Sequence, residues 1–214
     1  MTHHACTATL DTARVLRPEE RDRLRVHFEG QVAHAKQRGL WRDHRDGVLG
    51  LVLLATGIRV GEACALRRSD VHVGRGEREI LIRRGKGGRK RTVRIPNDLR
   101  GVLRDYLDAF ASEDPEAALF TGGPDKPAPL SRSSAWRRWK TALQAAGLDA
   151  QGRGCHAARH GLGIALYRER KDLRVVAAQL GHRDLRSTMV YTQPLPEDLD
   201  DALDATWARG PGGK

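Results

Sequence analysis

The spacing of apolar residues changes once in the middle of this chain and then changes back, and that switch limits the possible folds more than any other feature. From Pro18 onward the pattern is helical. Leu24, Phe28 and Val32 form one stripe at i, i+4 and i+8, and Pro18-Glu19-Glu20 suits a first helical turn. Asp46 to Thr56 is apolar nearly all round, which predicts a buried helix stopped by Gly57, with a short helix after it from Arg59 to Leu66. Between Glu79 and Ile95 the period becomes two. Glu79–Arg84 and Thr92–Ile95 read as strands, joined by the glycine-rich, cationic turn Gly85-Lys86-Gly87-Gly88-Arg89-Lys90. A third strand is expected near Asp70–Val73, and Pro96 ends the hairpin.

Helical spacing then returns at Leu99, Val102, Leu103, Tyr106, Leu107 and Phe110. Asp114–Pro129 holds four prolines and two adjacent glycines and is expected to be a connecting loop. Further helices are predicted over Ser131–Ala146, His156–Arg170, Leu173–Leu180 (closed by Gly181), Leu185–Val190 and Glu197–Trp207. The predicted fold class is mainly α with a small antiparallel β-sheet (α+β). It is read as one domain over residues 14–208 after a loose tail at 1–13, with no separate N-terminal domain.

Charge bears on the partner. Lys and Arg number 38 against 27 Asp and Glu, a formal charge of +11. Such an excess favours a polyanion, because each phosphate neutralised releases condensed counterions. Pro196–Asp204 is acidic, so the basic surface is expected elsewhere. Cys6, Cys64 and Cys155 form neither a CxxC pair nor a disulfide framework, which fits a reducing cytoplasm. Met1–Leu10 lacks the apolar core of a secretory signal. The longest apolar run, Val48–Ala55, is far short of the ~20 residues that span a bilayer, so no membrane association is expected.

Five sequence features together answer one chemical demand: Arg59 with Glu62 in Thr56-Gly57-Ile58-Arg59-Val60-Gly61-Glu62, Lys86 in the hairpin turn, His156 with Arg159 at i, i+3, His182 after Leu180-Gly181, and Tyr191. Attack on a phosphodiester builds negative charge on its non-bridging oxygens, and fixed donors aimed there lower the barrier. Two arginine forks can clamp both oxygens. A tyrosine nucleophile must lose its proton, which His156 can accept, and the departing oxygen needs one in return, which Lys86 can deliver. His182 adds a hydrogen bond. None of these residues requires a metal or a cofactor. His156 and His160 at i, i+4 lack the glutamate of an HExxH zinc site, and the hairpin glycines lack the GxxxxGK[ST] of a P-loop.

In order and spacing these segments resemble the tyrosine recombinases, the phage integrase family, whose signature is an arginine in a TGxRxxE-type segment, a hairpin lysine, an HxxR pair, an LGH histidine and a tyrosine shortly after. The resemblance extends from about Arg14 to Trp207. It implies the DNA breaking-rejoining fold of the family's catalytic domain. It also implies catalytic roles for Arg59, Lys86, His156, Arg159, His182 and the nucleophile Tyr191, with Glu62 in support. The implied activity is site-specific recombination of double-stranded DNA, by integration, excision or inversion, through a 3′-phosphotyrosine. The implied assembly is a tetramer on DNA that is a monomer when free, with accessory DNA-bending proteins as further partners. Gly161 departs from the family, which usually has a hydroxyl residue there, and Gly163 lies close behind.

The separate N-terminal DNA-clamping domain of most members is not expected here, whether the chain is naturally short or an excised catalytic fragment. Two alternatives stay open: a type IB-like topoisomerase, and a non-catalytic DNA-binding remnant. Arg89, Lys90, Arg132, Arg137, Arg138 and Lys140 are candidate DNA contacts, with Trp136 and Trp139 expected to be mostly buried. The C-terminal helix, with Leu199, Leu203 and Trp207 on one stripe, packs either on its own domain or on a neighbouring protomer.

Overall fold

The computed structural model describes residues 15–83, 90–110, 112–123, 126–182, 187–192, 199–200 and 203–204. Two long helices make its centre. Helix α1 (Pro18–Arg38) starts with the Glu20 carboxylate accepting from the Arg17 amide at 2.9 Å and ends at Gly39. Helix α2 (Trp41–Thr56) is buried almost throughout. The two helices approach closely because α2 carries glycine where α1 is bulky. A Cβ on Gly50 would lie 2.4 Å from the Phe28 ring, and one on Gly47 would lie 2.7 Å from Val32.

Helix α3 (Val60–Cys64) follows Gly57. Strands β1 (Val71–His72), β2 (Glu79–Ile82) and β3 (Arg91–Arg94) form an antiparallel sheet in that order, Ile80 facing Val93 and Ile82 facing Arg91. Helix α4 (Asn97–Phe110) crosses to a second hairpin, β4 (Thr121–Gly123) and β5 (Lys126–Pro129). Helix α5 (Arg132–Ala145) begins where the Ser131 hydroxyl accepts from the Ser134 amide at 3.1 Å. Helices α6 (His156–Arg170) and α7 (Leu173–Leu180) complete the domain.

Most buried apolar side chains join one core that runs from α1 and α2 through the sheet to α4 and α5. A smaller core lies between α6 and α7 and contains Val15, Leu162, Ile164, Val176, Leu180 and Tyr191. No helix among the described residues is long and apolar enough to cross a membrane.

The α+β class and the three-stranded sheet match expectation. Three elements differ. The expected loop 114–129 contains the β4–β5 hairpin, whose prolines occupy alternate positions of a short edge strand, where a missing N–H is tolerated. The buried Arg45 guanidinium donates to Thr121 O at 2.8 Å and holds that hairpin. Helix α2 begins at Trp41 rather than Asp46, because Arg45 is neutralised by Asp46 at 2.6 Å and lies 4.7 Å from the Trp41 ring. Of the helix expected over Leu185–Val190, Leu185 and Arg186 lie outside the described residues, and Met189–Thr192 form a 3-10 turn. The tail at 1–13 and most of 197–207 lie outside the described residues. Positions 199–200 and 203–204 are helical, with Leu199 and Leu203 exposed.

The α1–α2 contact yields a stability prediction. Gly50→Ala should destabilise by about 1–3 kcal/mol through overpacking against Phe28, although alanine favours helix by about 1 kcal/mol. Gly30→Ala, on the exposed face of α1 with nothing within 4 Å of the added carbon, should stabilise by roughly 0.5–1 kcal/mol. Urea melts that moved both variants in the same direction would refute the close-approach argument.

Candidate active site

Helices α2 and α7 both end in a left-handed glycine, Gly57 (φ 65°) and Gly181 (φ 67°). Between these ends lies Arg159, which is 4% exposed. Its Nη1 donates to Gly57 O at 2.7 Å and its Nη2 to Leu180 O at 2.6 Å. A cation is favourable where helical carbonyls terminate. Burial, and then the charge of Arg59, lower the Arg159 pKa to about 10, so the side chain stays protonated at neutral pH. A guanidinium has five N–H donors, so these two bonds do not exhaust it.

The chain leaving Gly57 places Arg59 at the N-cap of α3. The Glu62 carboxylate accepts from the Arg59 amide at 2.8 Å and from its Nη1 at 3.1 Å. The same carboxylate takes both forks of Arg91, at 2.9 and 2.8 Å. Burial alone would raise the Glu62 pKa. The bonds from Arg91 and the Arg59 amide, with both charges, outweigh it and hold the carboxyl below its usual range.

Helix α6 presents His156 and His160 one turn apart, and His182 follows Gly181. His182 Nδ1 lies 2.9 Å from the hydroxyl of Thr188, which is fully buried. The Tyr191 ring stacks on His182 at 6.0 Å between centroids, and its hydroxyl lies 3.4 Å from His160 Nδ1. Tyr191 is 3% exposed and occupies space that a Cβ on Gly163 would invade, 2.6 Å from its ring. Burial raises the Tyr191 pKa, against the charges of Arg159 and Arg59. Burial, then Arg159 and Arg59, push His182 down to about 4. His156 and His160 are lowered too, chiefly by burial. Groups from α3, α6, α7 and the 3-10 turn thus share one field, and that field favours an anion.

The structure brings together Arg59, Glu62, His156, Arg159, His182 and Tyr191. Lys86 and Arg89 lie outside the described residues. Lys90, Arg132 and Arg137 are exposed, and Arg132 lies against Gly61. Arg138 instead pairs with Asp46 at 3.0 Å, and Lys140 donates to Ala150 O with its ammonium over the Trp136 ring. Both of these charges are engaged inside the chain. Trp139 is buried as expected, but Trp136 is 48% exposed, because only Trp139 shares a face with Ala135, Ala142 and Leu143. Residue-level reading missed Arg91, Thr188 and the proximity of His160 to Tyr191. For Arg91 there was a signal: it alternates in phase with Val93 and Ile95, and a charge on an apolar face needs a partner.

This architecture has relatives. The tyrosine recombinase XerA of Thermococcus kodakarensis is 34% identical over 158 residues, 74% of this chain and 54% of the relative. XerC of Methylobacterium nodulans is 33% identical over 185 residues, 85% of this chain and 56% of the relative. The chain therefore spans about half the length of these relatives. Among solved structures, the XerA recombinase shares the fold with a TM-score of 0.70 at 24% identity, covering 90% of this chain and 62% of that one. The XerH recombinase bound to its difH substrate in a post-cleavage complex gives 0.73 at 24% identity, covering 92% of this chain and 54% of that one. The phage integrase family profile matches residues 17–198, and the chain belongs to that family.

Proposed function

We propose that this chain is the catalytic domain of a site-specific DNA recombinase, which breaks and rejoins DNA through a 3′-phosphotyrosine at Tyr191. The observation that carries this reading is the convergence of two arginines and three histidines on one tyrosine. Arg59 and Arg159 bind the non-bridging oxygens of the scissile phosphate, where charge grows during attack. The Tyr191 oxygen bonds to phosphorus as the bond to the 5′ oxygen breaks. The phenolic proton leaves to a neighbouring imidazole, and Lys86 protonates the 5′ oxygen. Reversal with a different 5′ hydroxyl completes exchange, the bond energy being kept in the protein–DNA linkage.

The partners that follow are double-stranded DNA, other copies of this chain in a tetramer on DNA, and accessory DNA-bending proteins. The exposed apolar side chains of Leu199 and Leu203 support docking of the C-terminal helix onto a neighbouring protomer. Among the candidate contacts, exposed Lys90, Arg132 and Arg137 suit phosphates better than the internally engaged Arg138 and Lys140. The names of the relatives and the acidic C-terminal segment favour recombination over DNA relaxation.

The central test uses a nicked duplex carrying a site selected from a randomised library by binding to this chain. The chain should form a denaturant-resistant adduct with it, and Tyr191→Phe should form none; an adduct that persisted in the variant would remove Tyr191 from its role. Lys86→Ala should slow adduct formation by about 10²–10⁴-fold. A substrate with sulfur at the 5′ bridging position should restore the rate, because a thiolate departs without a proton more readily than an alkoxide. Equal slowing on both substrates would reject Lys86 as the acid.

A third expectation concerns pH. His182 in the folded chain titrates near 4 instead of the ordinary 6.5, so between those values the unfolded chain binds more protons. Stability should therefore fall as pH drops from about 6.5 toward 4. His182→Asn should flatten that slope in urea melts, and an unchanged slope would contradict the assigned shift.

A further inference from the structure

We infer that Arg91, on strand β3, is a positioning residue that sets the Arg59 guanidinium for the phosphate and keys the β-hairpin to the rest of the site. The inference rests on the recombinase reading above, but its geometry stands apart from it. One carboxylate, Glu62, lies between two arginines. Its Oε1 accepts from Nη1 of Arg59 and Nη1 of Arg91, and its Oε2 accepts from the Arg59 amide and Nη2 of Arg91. Arg91 thus supplies both prongs of a planar fork, while Arg59 gives the carboxylate one prong and its backbone. With both Arg91 Nη groups committed and the side chain only 16% exposed, Arg91 acts through Glu62 and not on DNA. Without it the Glu62 charge would fall on Arg59 alone, and Arg59 would be drawn down toward the carboxylate and away from the phosphate.

A second contact points the same way. Gly181 precedes His182, and a Cβ there would lie 2.3 Å from both Cδ and Nε of Arg91. The Arg91 stem therefore packs on the backbone turn that presents His182. Strand β3 is tied to the same region by Gln179, whose side chain accepts from Arg94 N at 3.2 Å and donates to Arg94 O at 3.0 Å and to Thr56 O at 3.3 Å. Arg91 lies five positions after Lys86 in the sequence (91 − 86 = 5). One side chain on β3 thus meets both the Arg59–Glu62 segment and the Gly181–His182 turn.

The experiment is a double-mutant cycle with a spectroscopic arm. Arg91→Met should slow single-turnover adduct formation on the nicked duplex on the order of a hundredfold, the loss expected when a catalytic group is misplaced by about 1 Å, with duplex affinity unchanged. In an Arg59→Ala background the same substitution should add little, since nothing remains to position. Equal losses in both backgrounds would overturn the proposal and leave Arg91 a stability residue. Arg91→Lys, which keeps charge but cannot bridge both oxygens, should fall between wild type and Arg91→Met and serves where the methionine variant folds poorly; full activity in the lysine variant would also overturn it.

Nuclear magnetic resonance gives a readout free of cleavage. In Arg91→Met the Glu62 carboxyl should titrate higher and the Arg59 Nε signal should move. Unmoved signals would defeat the proposal whatever the chain does to DNA. A wild-type chain that made no adduct while these signals moved would defeat only the recombinase reading.

Discussion

The site depends on one buried guanidinium fastened to the ends of two helices. Arg159 donates to Gly57 O and Leu180 O at 2.7 and 2.6 Å, and these carbonyls stand just before the two loops that present Arg59 and His182. The interaction brings segments more than a hundred residues apart in the chain into register (159 − 57 = 102). It is also an expensive arrangement to break, since removing the arginine would leave two buried carbonyl acceptors without a partner as well as a cavity. The side chain to which the proposal gives a phosphate is also a structural bolt, and this accounts for its near-complete burial.

Such an assembly concentrates positive charge, and the shifts record the strain. Arg159 is pulled down to about 10 and His182 to about 4, in each case by burial first and neighbouring arginines second. One ionised carboxylate, Glu62, offsets Arg59 and Arg91 but faces the wall of the site. On the recombinase proposal, a phosphodiester would supply the missing negative charge, relieve the repulsion and raise the proton affinity of His182. Tyr191 is held in the opposite sense. Its ring belongs to the small core of Leu162, Ile164, Val176 and Leu180, and burial keeps the phenol protonated in the free chain. The niche made by Gly163 holds the Tyr191 ring, and the charges of Arg159 and Arg59 oppose the effect of burial on its phenol.

How much of this was legible in the sequence follows from the range of each interaction. Helices α1, α5, α6 and α7 and the three-stranded sheet declare themselves through local periodicity and caps. Arg59, His156, Arg159, His182 and Tyr191 lie in segments whose pattern points to phosphate chemistry. The β4–β5 hairpin was hidden because Pro127 and Pro129 read as breakers, and its anchor, Arg45, reaches Thr121 from a distant helix. The start of α2 was hidden for the same reason: His44 and Arg45 look like surface residues until Asp46, Trp41 and the hairpin are brought to them. On α5, composition alone cannot tell an arginine that faces solvent from Arg138, which turns inward to Asp46. The misses of Arg45, Arg91 and Arg138 each involve a charge whose partner lies on another element.

That pattern gives the small sheet its meaning. The three short strands give the core Val71, Ile80, Ile82 and Val93. What the strands provide is a rigid, alternating frame that aims Arg91 inward at Glu62. A loop could hold the same residues, but it would give each of them independent freedom, and two bidentate bonds do not fix a mobile backbone. Pairing Arg91 with Ile82 across the ladder and tying Arg94 to Gln179 removes that freedom in the folded chain. The entropic part of arranging the site is therefore met during folding, as the proposed electrostatic catalysis requires.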